Sequence, residues 1–157
     1  SEALQKIISV SKLELENPHE LTKLLKYVDI LLVNKDEASK LVPGKICVEL
    51  LSRLKNYVET VIITDGNTGA VAANATEAYR LGIYEDIKVK DTTGAGDAFG
   101  SGFLAHFAAG HSFKDSLVFA AANSTSVVNK FGAKAGLLTG GEEIHAMPIQ
   151  KIKELER

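Results

Sequence analysis

The feature that most limits what this chain can fold into is the stretch Lys90-Asp91-Thr92-Thr93-Gly94-Ala95-Gly96-Asp97-Ala98-Phe99-Gly100, followed by small residues at Gly102, Ala105, Ala108 and Ala109. A Gly-x-Gly turn lets the backbone come close to a ligand because no side chain intervenes. The small-residue spacing predicts a helix from Ala95 onward, whose first N–H groups and positive dipole end face outward. Together these make an anion site, best suited to a phosphate. A carboxylate at Asp97 inside such a site repels phosphate unless it has the task of taking a proton from an incoming hydroxyl. The combination points to phosphoryl transfer to an alcohol.

Two other readings of the same glycines compete. GAGDAFG also fits a Gly-x-Gly-x-x-x-Gly variant of the dinucleotide fingerprint, which needs an apolar strand before it and an acid about 20 residues on, at the end of the next strand. Here the preceding run 86–91 is heavily charged, and the predicted helix is followed by another helix pattern. A Gly-rich turn that only starts a helix is the third reading. A Walker A loop is excluded, because the chain has no Gly-Lys-Ser/Thr.

Along the rest of the chain, strand and helix patterns alternate. Ile7, Ile8 and Val10 form the stub of a strand. Asn17-Pro18 marks a helix start, with Glu20 in the first turn and Leu21, Leu24, Leu25 and Val28 at helical spacing. Residues 29–34 and 60–64 are short apolar runs of the kind buried on both faces of a sheet. A helix is predicted over 35–41, stopped at Pro43-Gly44, and another runs to about Tyr57. The turn 65–69 leads into a returning hairpin strand at 70–74. Short strands are predicted at 78–83 and 87–89, and helices at 95–109, stopped by Gly110, and at 113–129. A Gly-rich loop at 131–141 and an amphipathic helix near 149–155 complete the pattern. Such alternation predicts an α/β layered sheet.

The run DTTGAGDAF resembles the second signature of the ribokinase-like (PfkB) family of carbohydrate and nucleoside kinases, with Asp91, Thr93, Gly94, Ala95, Gly96 and Asp97 all in place. The resemblance implies a ribokinase-like layered sheet flanked by helices. It assigns Asp97 as the catalytic base and the amides of Gly94, Ala95 and Gly96 as the anion hole. Asp91 and Thr93 match positions that help hold a monovalent cation, with K+ the candidate. The implied activity is ATP-dependent transfer of the γ-phosphate to an alcohol group of a sugar, with Mg2+ as cofactor. A nucleoside kinase, or a nucleotide-binding module without catalysis in this truncated form, are the alternatives.

Further positions take meaning from that frame. Asn34 ends the first buried strand with Glu37 three residues on, matching the family's Asn-x-x-Glu, which positions phosphates and water-bound magnesium. The same spacing is a helix capping box, and the two roles are compatible. Lys35 and Asp36 read as solvated. Thr64 and Gly66 resemble the family's Thr-x-Gly-x-x-Gly turn against ATP. Asp65 departs from it, since the family usually has an apolar or basic residue there; a carboxylate beside a polyphosphate is repulsive unless it points away or meets a cation. By resemblance Asn123 reaches the adenine, although tight packing between small-residue helices gives the same pattern. Gly132 lies in Phe131–Gly136, which resembles the loop closing the nucleotide site; many members have Ser where this chain has Gly136. The four histidines show no ligand spacing, and His106 reads as a packing or surface residue. Cys47 reads as a small buried hydrophobe.

Bulk numbers add limits. With 157 residues, 45% hydrophobic and a net charge of −2, the chain has material for one core, expected as a single α/β domain over 1–157. Near-neutral charge gives no basic face for nucleic acid. One cysteine forms no internal disulfide, which suits a cytoplasmic home, and no run of roughly 18 apolar residues suggests a membrane span. The family resemblance covers about 28–140. Family members are longer, with an N-terminal half that supplies most acceptor contacts, so this chain looks like the C-terminal half. A missing N-terminal half or a homodimer partner is expected, and the isolated chain is expected to be deficient in turnover.

Overall fold

The computed structural model describes residues 7–9, 17–83, 94–128, 148–153 and 155. In chain order they form β1 (Ile7–Ser9), α1 (Pro18–Leu24), β2 (Ile30–Asn34), α2 (Lys35–Leu41), α3 (Cys47–Leu54), β3 (Thr60–Thr64), β4 (Ala70–Ala73), β5 (Ala78–Leu81), α4 (Ala95–Ala108), α5 (Phe113–Val128) and β6 (Ile149–Lys151). The six strands make one sheet in the order β1-β2-β3-β4-β5-β6. β1, β2 and β3 are parallel, and β4 returns antiparallel to β3. Parallel neighbours need crossover connections, which α1 supplies between β1 and β2, and α2 with α3 between β2 and β3. This is the layered α/β sheet with helices that the residue pattern predicts.

The described residues divide into two compact units. One is drawn from Ser1–Asp65, Ala70–Arg80 and Lys151–Arg157, the other from Gly66–Gly69 and Leu81–Gln150. In the first, β2 and β3 are buried along Ile30–Val33 and Thr60–Ile63, as apolar runs in a parallel sheet must be. Leu25, Leu50, Leu51 and Leu54 join Leu31, Val33, Val61, Ile63 and Val71 in one core. Pro18 opens α1 at its first turn, where a missing N–H costs nothing. α1 stops at Leu24 and tightens into a 3-10 turn at Leu25–Tyr27, which leaves Leu24 exposed.

The expected helix over 149–155 is not formed. Ile149–Lys151 is a strand, with Gly82 N donating to Pro148 O at 2.8 Å and Ile152 N donating to Ala78 O at 2.8 Å. A helix that short is marginal on its own. Beyond β4, the outer edge of β5 would otherwise be left without a neighbouring strand, and pairing it wins. Ile152 and Leu155 still pack on the first unit's core. Val10, the predicted strand at 87–89, Asn129 and the loop at 131–141 lie outside the described residues. No described helix is long and apolar enough to cross a membrane.

Candidate active site

In the second unit the predicted anion turn is a helix start of a specific kind. Gly94, the N-cap of α4, has φ 79° and ψ 1°, a left-handed conformation that side chains disfavour. Ala95, Gly96 and Asp97 form the first turn, so their N–H groups have no partner four residues back within the helix. A Cβ placed on Gly96 would meet no described residue within 4 Å, so among the described residues its bare backbone is uncovered. Asp97 is exposed in this turn. A carboxylate there suits the positive helix end.

α5 holds that turn from below. Asn123 Nδ2 donates to Ala98 O at 2.7 Å, and Ser124 Oγ donates to Ala95 O at 2.8 Å. Asn123 is 3% exposed, so the amide expected at the adenine ties two helices together. Gly102 permits the close approach, since a Cβ there would stand 3.1 Å from Asn123 Cβ. Ser124 was not singled out from the sequence, although its place beside Asn123 in the small-residue run was the available signal. Further along the pair, Phe103 meets Phe113 edge-on at 5.9 Å. His106 stacks on His111 at 3.7 Å and on Phe119 at 4.6 Å, which fits its reading as a packing residue. Burial pushes the His106 pKa down and His111 adds to the effect, while Asp115 opposes it.

In the first unit, Asn34 and Thr64 are register partners at the carboxyl ends of β2 and β3, where open α/β sheets place ligands. The capping box is formed: Glu37 N donates to Asn34 Oδ1 at 2.9 Å, and Asn34 N donates to Glu37 Oε2 at 2.8 Å. Glu37 Oε1 has no hydrogen bond among the described residues and remains available as an oxygen donor. Lys35 is not simply solvated. Its Nζ lies 3.0 Å from Asp65 Oδ2, and this hydrogen bond, then the charge of Asp65, raises the lysine pKa. Cys47 Sγ donates to the same oxygen at 3.6 Å. The thiol is pushed up to about 11, by burial first and then by the Asp65 charge.

Gly66 belongs to the 3-10 turn Gly66–Thr68 and has φ 49°, and no described residue lies within 4 Å of where a Cβ would stand. Gly132, Asp91 and Thr93 lie outside the described residues. Among the described residues there is no group of three or more His, Cys, Asp or Glu side chains able to hold a metal. A magnesium ion that keeps most of its waters needs only a remote carboxylate, and the spare oxygen of Glu37 fits that requirement.

A comparison of the whole sequence with protein families matches residues 5–139 to the pfkB family carbohydrate kinases. The chain belongs to the pfkB carbohydrate kinase family. The match begins earlier than the 28–140 span carried by the motifs alone. The chain is 36% identical over 117 residues to an ATP-dependent 6-phosphofructokinase of Thermoanaerobacterium thermosaccharolyticum, covering 72% of this chain and 35% of that protein. It is 31% identical over 134 residues to a ribokinase of Lactococcus lactis, covering 85% of this chain and 42% of that protein. Among solved structures, Arabidopsis thaliana ribokinase complexed with ribose and ATP superposes with a TM-score of 0.67 at 29% identity, covering 74% of this chain and 39% of that one. The chain thus spans 35% and 42% of the length of these two curated relatives.

Proposed function

We propose that this pfkB chain carries the nucleotide-binding and catalytic-base portion of an ATP-dependent kinase that phosphorylates an alcohol group of a sugar. The observation that carries the reading is the Gly94–Asp97 turn: a left-handed glycine, a Gly96 backbone that no described residue covers, and an exposed acid at the third helical position. Asp97 accepts the proton of the acceptor hydroxyl as that oxygen attacks the γ-phosphorus, and the bond from phosphorus to the ADP oxygen breaks. The amides of Gly94, Ala95 and Gly96 hold the charge that grows on the transferred group, which is the preorganised electrostatics phosphoryl transfer mainly needs. Ser124 and Asn123 act at one remove, by fixing the first turn of α4 through the Ala95 and Ala98 carbonyls.

Asn34, Glu37, Thr64 and Gly66 serve the nucleotide phosphates, and Glu37 orders water around magnesium. When bound, the ion neutralises charge on the phosphate oxygens. Asp91 and Thr93 hold a monovalent cation, and Gly132 borders the nucleotide. Acceptor choice lies with groups that the longer relatives carry beyond the region matched here. The test is ADP release against a panel of sugars and nucleosides. Release that depends on a sugar supports the reading, release only with nucleosides favours a nucleoside kinase, and nucleotide binding without acceptor-dependent release marks a binding module.

A further inference from the structure

Asp65 is the one residue of the Thr64–Gly66 turn whose charge works against a polyphosphate, and its surroundings compensate for it. Asn34 and Thr64 face each other in register, so Lys35 and Asp65 leave two adjacent strands at the same end. Lys35 is the first residue of α2 and Cys47 the first of α3, and both donate to the same oxygen, Asp65 Oδ2, at 3.0 Å and 3.6 Å. A single carboxylate thereby joins β3, α2 and α3 beside the Asn34–Glu37 capping box. The Lys35 ammonium brings a full positive charge to within 3.0 Å of that oxygen.

We infer that Lys35 is a positioning residue for polyphosphate, which acts by neutralising and fixing the Asp65 carboxylate at the carboxyl ends of β2 and β3. The inference rests on the nucleotide reading above. Like charges repel in proportion to their number. An Asp65 carboxylate released from Lys35 therefore penalises ATP more than ADP, and adenosine hardly at all. Removing the carboxylate as well removes the penalty. A scaffold role alone has neither signature, since loosened strand ends weaken all three ligands together.

The experiment is titration calorimetry of ATP, ADP and adenosine, with magnesium, on the 157-residue chain. The variants are Lys35→Met, Lys35→Arg, Asp65→Asn and the Lys35→Met/Asp65→Asn double variant, each checked for native circular dichroism. The expected result for Lys35→Met is a loss of about tenfold for ATP, less for ADP and almost none for adenosine. Lys35→Arg and the double variant return ATP binding to near the unmodified level. Equal losses for all three ligands, or a double variant as weak as Lys35→Met, overturn the inference; the latter would make Lys35 a direct phosphate ligand. Should Lys35→Met not fold, Asp65→Asn and the double variant decide by the same comparison. An unmodified chain that binds none of the three overturns the nucleotide reading and this inference with it, whereas binding with no variant effect overturns the inference alone.

Discussion

The Asn123 side chain donates to the Ala98 carbonyl at 2.7 Å, and the Cβ-less face of Gly102 lies against that same asparagine. Alanine at Gly102 would place its methyl 3.1 Å from Asn123 Cβ and 3.3 Å from Ala120 Cα. The backbone at Ala120 cannot yield as a flexible side chain would. Overpacking of this kind costs about 1–3 kcal/mol, more than the gain of about 1 kcal/mol from replacing a helical glycine. Gly102→Ala is therefore expected to lower the unfolding midpoint in denaturant, and a midpoint unchanged or raised would show that α4 and α5 are less closely packed.

Gly96 should behave in the opposite way. It is helical and no described residue lies within 4 Å of its missing Cβ, so Gly96→Ala is expected to stabilise the chain by up to about 1 kcal/mol. The same methyl occupies the backbone surface assigned to the transferring phosphate. Nucleotide affinity should fall as stability rises. Denaturation and nucleotide titration of the one variant check both signs, and a variant that is more stable and binds as well as the unmodified chain would remove Gly96 from the anion hole.

Asp97→Asn tests the base. The substitution keeps size and an exposed surface position, so folding and ATP binding should hold. Turnover in the active kinase should drop by a factor on the order of 10² to 10⁴, the usual share of a general base. Acceptor-dependent ADP release measures it. Near-normal turnover would assign the proton to another group.

His106 sets a pH dependence with a definite sign. Its folded pKa lies below the ordinary value of about 6.5, because burial and the neighbouring His111 disfavour the charged ring, with Asp115 opposing. The unfolded chain therefore takes up the proton more readily. The stability contributed by neutral His106 is complete above the unfolded pKa and is lost as pH falls through the folded value. Melting temperature should decline below about pH 6.5, and His106→Phe, which keeps an aromatic ring against Phe119, should flatten that decline. An identical slope in both proteins would place the acid sensitivity elsewhere.

Much of the fold was legible because its signals are local. The apolar runs before Asn34 and Thr64 are short, uninterrupted and bounded by polar residues, and each became a strand buried on both faces. Asn34 and Glu37 were readable both as a capping box and as a ligand motif because the spacing is the same; the capping hydrogen bonds are formed, and among the described residues the second Glu37 oxygen has no hydrogen bond. The segment after Pro148 misled because its apolar spacing suits a helix, whereas its conformation depends on the hydrogen bonds of β5, far away in sequence. Lys35 with Asp65 was missed for a related reason. Thirty residues separate them, and only the register of β2 with β3 brings them together. Opposite charges immediately after two predicted buried strands were the signal that could have found the pair.

The central claim, that this chain holds the nucleotide, is tested most directly by thermal melting with and without Mg-ATP, in potassium and in sodium buffer. Ligand at one hundred times its Kd adds about 2.7 kcal/mol, or roughly 5–10 °C for a domain of this size, and potassium should enlarge the shift if Asp91 and Thr93 serve a monovalent cation. A cooperatively folded sample whose midpoint does not move at saturating Mg-ATP in either buffer would contradict the account.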